Sequence, residues 1–115
     1  MSVLYFIYTL DIIKLQGGMG MLSILAIQEA VKKIAPEYPI KTVTVFGSYA
    51  EGTANKDSDV DVLVEFMVPA VSLLTLARLK HRLENELNTS VDVIHSPIGK
   101  DSMITLGKVV QVYEQ

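Results

Sequence analysis

At 115 residues, half of them hydrophobic and a fifth charged, the chain has the size and composition of one globular domain with a single core, and no room for a second substrate domain. Ten Lys and Arg against thirteen Asp and Glu give a net charge of −3, so there is no basic excess with which to grip a nucleic-acid backbone unaided. The absence of cysteine excludes disulfides, thiol nucleophiles, cysteine-ligated zinc and iron–sulfur clusters.

Val3 to Leu10 is an apolar run of eight residues, far short of the roughly 20 that a membrane helix needs. No basic segment precedes it and no small-residue cleavage site follows, which argues against a signal peptide and sets the expectation of a cytoplasmic location without a membrane partner. Gly17-Gly18-Met19-Gly20 reads as a flexible joint and does not complete the spacing of a dinucleotide phosphate loop. Residues 1–20 are therefore expected to be an N-terminal extension, and residues 21–115 the domain.

Leu22 to Ala35 reads as a helix capped by Ser23, with Leu22, Ile24, Leu25, Ile27, Val31 and Ile34 on its apolar side and Pro36 and Pro39 ending it. Lys41 to Phe46 is β-branched and alternating, a strand broken by Gly47-Ser48. Residues 49–57 are small and polar, a loop with at most one helical turn. Val60 to Phe66 is a second strand, closed by Pro69. From Pro69 to Leu87 the residues Leu73, Leu76, Leu79, Leu83 and Leu87 recur at three- and four-residue steps, an amphipathic helix that Asn88 can end in the left-handed conformation. Ser90 to His95 is a third strand. A turn at Pro97 and Gly99 leads to a short helix from Asp101 to Leu106, stopped by Gly107, and Val109 to Tyr113 is extended or one more turn. The order predicts a two-layer α/β (α+β) domain around a small sheet. Met67, Met103 and the leucine stripe read as core, with part of the stripe as a candidate partner surface. Arg78, Lys80 and Arg82 read as a solvated helix face, and His81 as a surface residue. His95 has a minor claim on the mouth of the site described next.

The densest chemical signal runs from Gly47 to Asp61. Asp59 and Asp61 are two apart at the second strand and share one face. Neighbouring carboxylates repel unless a cation lies between them, and hard oxygen ligands of this kind suit Mg²⁺, with Mn²⁺ as an alternative. Asp92 lies in Val91-Asp92-Val93-Ile94; its apolar neighbours face the core, so it joins the open face if the two strands pair. Gly47 permits a sharp turn and close backbone approach, and the Ser48 hydroxyl with the following amides can hold phosphate oxygens. A phosphate grip beside a carboxylate metal site is what nucleotidyl transfer needs. A calcium loop starting at Asp57 fails, because Val62 stands where its glycine belongs and Val68 where its bidentate glutamate belongs.

Gly47-Ser48, ten residues, then Asp59-Val60-Asp61 resembles the signature of the polymerase-beta-type nucleotidyltransferases, and more closely the minimal nucleotidyltransferase (MNT) antitoxins that stand beside HEPN toxins. The resemblance covers about Leu22 to Glu114. It implies a polymerase-beta-like fold, a small mixed sheet with helices packed on one face. It also implies that Gly47 and Ser48 contact the nucleotide phosphates, that Asp59 and Asp61 hold Mg²⁺, and that Asp92 is the third carboxylate of the metal and catalytic site. Such domains use ATP and transfer AMP to a tyrosine of their HEPN toxin. Two positions depart from the pattern: Glu51 stands where many relatives carry arginine, with Lys56 or Lys41 as partial compensation at the nucleotide, and Asn88 where relatives carry glycine. The competing reading is an antitoxin-like binding module that neutralises its partner by occlusion. An aminoglycoside-type transferase would need more drug-binding surface than this chain supplies. The sequence leaves the oligomeric state, homo- or hetero-oligomer, open.

Overall fold

The computed structural model describes residues 22–95 and 107–115. Helix α1 is Ile24–Ile34, opened by Ser23 in extended backbone geometry, whose Oγ accepts the Ala26 N–H at 3.0 Å. Lys32 and Lys33 in its last turn complement the helix dipole. A 3₁₀ turn, Ala35–Glu37, carries Pro36 where a missing N–H costs nothing, and turns the chain into strand β1, Ile40–Phe46. A single helical turn, α2 (Ser48–Glu51), follows, then strand β2 (Val60–Phe66), helix α3 (Leu73–Leu87) and strands β3 (Val91–His95) and β4 (Val110–Glu114).

The sheet order is β3-β2-β1-β4, with β1 antiparallel to both β2 and β4, and β2 parallel to β3. The sheet is thus mixed, as expected. The parallel β2–β3 pair needs a crossover, which α3 supplies. Val60, Val62, Val64 and Phe66 of β2 are buried, and with Val43, Val45 and Val91 they meet Ile27, Val31 and Ile34 of α1 and Leu79, Leu83 and Leu87 of α3 in one core. The two long helices form one layer on that face.

Three expectations change. Val109 to Tyr113, left open between strand and turn, is the strand β4 on the edge of the sheet. The leucine stripe buries only from its middle: Leu79, Leu83 and Leu87 are buried, whereas Leu73 is 83% exposed. Leu79 and Leu83 lie over Val31, Ile34, Val43 and Val64, and a stripe buries only where such a layer lies beneath it. Met67 is 49% exposed, because it follows the last residue of β2, where its N–H donates to the Pro39 carbonyl and its side chain leaves the sheet. The extension 1–20, the short helix 101–106 and the core reading of Met103 lie outside the described residues. Among the described residues no helix is long and apolar enough to cross a membrane.

Candidate active site

The antiparallel pairing of β1 and β2 sets Phe46 opposite Asp61, so the end of β1 arrives at the start of β2. The next residue, Gly47, has φ +72° and ψ −153°, a region that essentially only glycine occupies. A Cβ there would lie 2.3 Å from Asp61 Oδ2. The turn after β1 therefore runs in direct contact with a carboxylate of the next strand. Ser48 follows, half-buried, as the first residue of α2, and Glu51 N–H and Thr53 N–H close the turn onto the carbonyls of Gly47 and Ser48.

The parallel pairing of β2 and β3 places Asp61 directly beside Asp92. Val60, Val62, Val91 and Val93 pack on the core side, which leaves both aspartates on the opposite face. Burial pushes the Asp61 carboxyl above its ordinary value. The charge of Asp92, a side-chain hydrogen bond with Asp92 and the charge of Asp59 push it in the same direction. Asp59 was expected to extend the Asp61 face of the second strand. It is instead the exposed residue just before β2, whose ladder opens with Val60 N–H donating to the Ser90 carbonyl.

A self-closed turn delivers Asp59: Asp57 N–H donates to Asn55 Oδ1 at 2.8 Å, and Asn55 N–H donates to Ser58 Oγ at 2.9 Å. Lys56 stands exposed within that turn, and no contact draws it to Gly47 or Ser48. Glu51 is exposed at the end of α2, its carboxylate facing Gly107, which precedes β4.

Among the described residues no three His, Cys, Asp or Glu side chains already stand at metal-holding distances. The donor chemistry nevertheless fits a divalent cation. Asp61 and Asp92 are hard oxygen ligands held side by side against their own repulsion, and one or two carboxylates are the usual protein share of a Mg²⁺ shell completed by water and substrate phosphate.

His95 is not at this site. It lies on the core-side register of β3, three residues past Asp92, with its ring edge-on to Phe66 at 5.2 Å. Lys80 is not part of a solvated face either. It is half-buried, pairs with Glu84 at 3.1 Å, and donates to the carbonyl of Val91, the residue before Asp92. The i,i+4 spacing of Lys80 and Glu84 was the available signal, but nothing in the sequence pointed to Val91. Arg82 pairs with Glu37 of the 3₁₀ turn.

The nucleotidyltransferase domain family matches residues 26–112. A Methanocaldococcus jannaschii relative named as a protein adenylyltransferase is 44% identical over 71 residues, 59% of this chain and 75% of its own. Among solved structures, one of a minimal nucleotidyltransferase is 34% identical, covers 76% of this chain and 90% of that one, and superimposes with a TM-score of 0.63. A toxin–antitoxin structure with AMP-PNP shares the fold at 18% identity and a TM-score of 0.66, covering 76% of this chain and 73% of that one. The Gly47–Asp61 contact and the Asp61–Asp92 register lie inside the matched region, and this chain belongs to the nucleotidyltransferase domain family.

Proposed function

We propose that this domain is an MNT-type antitoxin that transfers AMP from ATP to a tyrosine of a HEPN-type toxin, with Mg²⁺ held by Asp59, Asp61 and Asp92. The observation that carries the reading is the contact between Gly47 and Asp61, which sets the glycine turn after β1 against the Asp61–Asp92 pair. The adenylyltransferase name of the relative and the ATP analogue in the toxin–antitoxin neighbour support the donor and the kind of acceptor.

In this reading Gly47 lets the backbone approach the triphosphate, Ser48 donates its hydroxyl to a phosphate oxygen, and Lys56 swings in from its turn as a counter-charge. A divalent cation held by Asp59, Asp61 and Asp92 would supply positive charge to neutralise the phosphates. Asp92, exposed on the edge strand, faces the incoming acceptor, orients the phenol and takes its proton. The phenolic oxygen bonds to the α-phosphorus, and the bond to pyrophosphate breaks.

The test is incubation with labelled ATP, Mg²⁺ and the product of the adjacent gene. Label is expected on the partner, and Asp59→Asn should reduce its transfer by about 10²–10³-fold, the usual scale for removing one electrostatic stabiliser of a transition state. A partner that is neutralised without acquiring label would show occlusion instead.

A further inference from the structure

Strand β3 is an edge strand, paired on one side with β2. On that side Val60 N–H donates to the Ser90 carbonyl at 2.9 Å. The next residue, Val91, turns its N–H and carbonyl outward, where an edge strand leaves them unpaired. Helix α3 fills that place. Glu84 Oε2 accepts the Val91 N–H at 3.0 Å, Lys80 Nζ donates to the Val91 carbonyl, and the two side chains pair with each other at 3.1 Å. Two side chains one helical turn apart thus satisfy both backbone groups of one residue, as a further strand would. The Val91 side chain is itself fully buried. The Val91 N–H and then the Lys80 side chain hold the Glu84 carboxyl below its ordinary range, so Glu84 stays ionised at neutral pH.

We propose that Lys80 and Glu84 are positioning residues that fix Asp92 beside Asp61, through the backbone of the residue immediately before it. This rests on the proposed function for its consequence, because a displaced Asp92 loosens the shared cation. Its structural part stands alone: release of the clamp moves Asp92. A nearby ion pair serves as the control. Lys33 and Glu86 tie α3 to α1 instead, at 3.1 Å, and their hydrogen bonds are to each other rather than to β3.

The experiment compares wild type, Glu84→Ala, Glu84→Gln, Lys80→Ala and Glu86→Ala in the full chain. The first readouts need no nucleotide: amide hydrogen exchange at Val91 and the ¹³C carboxyl signal of Asp92. Glu84→Ala should lose Val91 protection at least about tenfold and shift or broaden the Asp92 signal. Glu84→Gln, which keeps an acceptor for the Val91 N–H, should retain most of both, and Glu86→Ala should change neither. The third readout is the calorimetric affinity for ATP with Mn²⁺, expected to fall by about 10–100-fold in Glu84→Ala, the usual cost of losing a support behind a metal ligand. In an Asp92→Asn background the same change should cost nothing further. An unmoved Asp92 signal in Glu84→Ala, or an equal change in Glu86→Ala, overturns the proposal. If wild type binds no ATP with Mn²⁺, the proposed function has failed, and the Asp92 signal alone then decides for or against the clamp.

Discussion

A methyl group at position 47 would lie 2.3 Å from a carboxylate oxygen of Asp61, on a backbone already at φ +72°. Backbone strain and the carboxylate contact both oppose any side chain there. Gly47→Ala should therefore lower stability by about 1–3 kcal/mol and weaken ATP binding with Mn²⁺ by more than about tenfold, read by thermal melting and by calorimetry. Asp61 carries the opposite signature, a group whose charged form costs the folded state stability. Its folded-state pKa is raised, by burial first and by Asp92 and Asp59 next. The folded state then binds the proton more tightly than the unfolded state. Stability therefore falls as pH rises from the ordinary carboxylate range through the folded value, and stays lower above it. In EDTA at pH 7, Asp61→Asn should melt higher than wild type. After solvent screening the gain is roughly 0.5 kcal/mol, or about 2–4 °C for a domain of this size. The gain should vanish below the ordinary carboxylate range, where Asp61 is protonated in both states. Added ATP with Mg²⁺ should reverse the order, because under the proposed function Asp61 helps to hold them and ligand binding stabilises the folded state. A melting temperature for Asp61→Asn at or below that of wild type at pH 7 in EDTA would remove the electrostatic reading of this pair.

Helix α3 stops where its chain turns left-handed. Asn88 has φ +52° and ψ 42°, the only non-glycine residue with positive φ among the described residues. Asparagine tolerates this conformation and alanine does not, so Asn88→Ala should cost about 1 kcal/mol and Asn88→Gly should be neutral or slightly stabilising, as seen in denaturant melts. This stop was legible in the sequence because it is local. The same holds for β2, whose Val60, Val62, Val64 and Phe66 recur at every second residue, and for the Gly-Ser turn and its aspartates, which are set by spacing along one stretch of chain. Asp92 was legible at one remove: its valine neighbours fixed which way it faces, and the parallel register then set it against Asp61. What failed was non-local. Val109, Val110, Val112 and Tyr113 do not alternate cleanly, and their strand exists through pairing with β1, where Thr42 meets Glu114 some seventy residues on. Lys80 looked solvated because its partner is a backbone carbonyl on another element. Leu73 looked buried because a periodic pattern does not say where the layer beneath it ends.

At the scale of the whole molecule, the last strand is built into the fold, paired with the interior strand β1. Strand β1 is central: β2 flanks it on one side and β4 on the other. The last strand is thus part of the sheet, with Val112 buried and Gln115 N–H donating to the Lys41 carbonyl. At the other end, the described core starts with Leu22 and Ile24 packed at its margin and Ala26 and Ile27 buried, and the family match starts at residue 26. Residues 1–20 are accordingly proposed to be dispensable for the fold. Two shortened chains separate these roles. A chain starting at Met21 keeps α1, its Ser23 cap and all four strands, and should unfold cooperatively within a few degrees of full length. A chain ending at Gly107 loses β4, strips a partner from the central strand and uncovers its edge, and leaves too little buried surface for a small domain to remain folded. It should show no cooperative melt by circular dichroism and should bind an exposed-hydrophobic dye. If the first chain instead loses its transition, Val3 to Leu10 contributes to the core or to a contact between copies. Sedimentation of the full-length protein would then distinguish those two, since only the second makes stability depend on concentration.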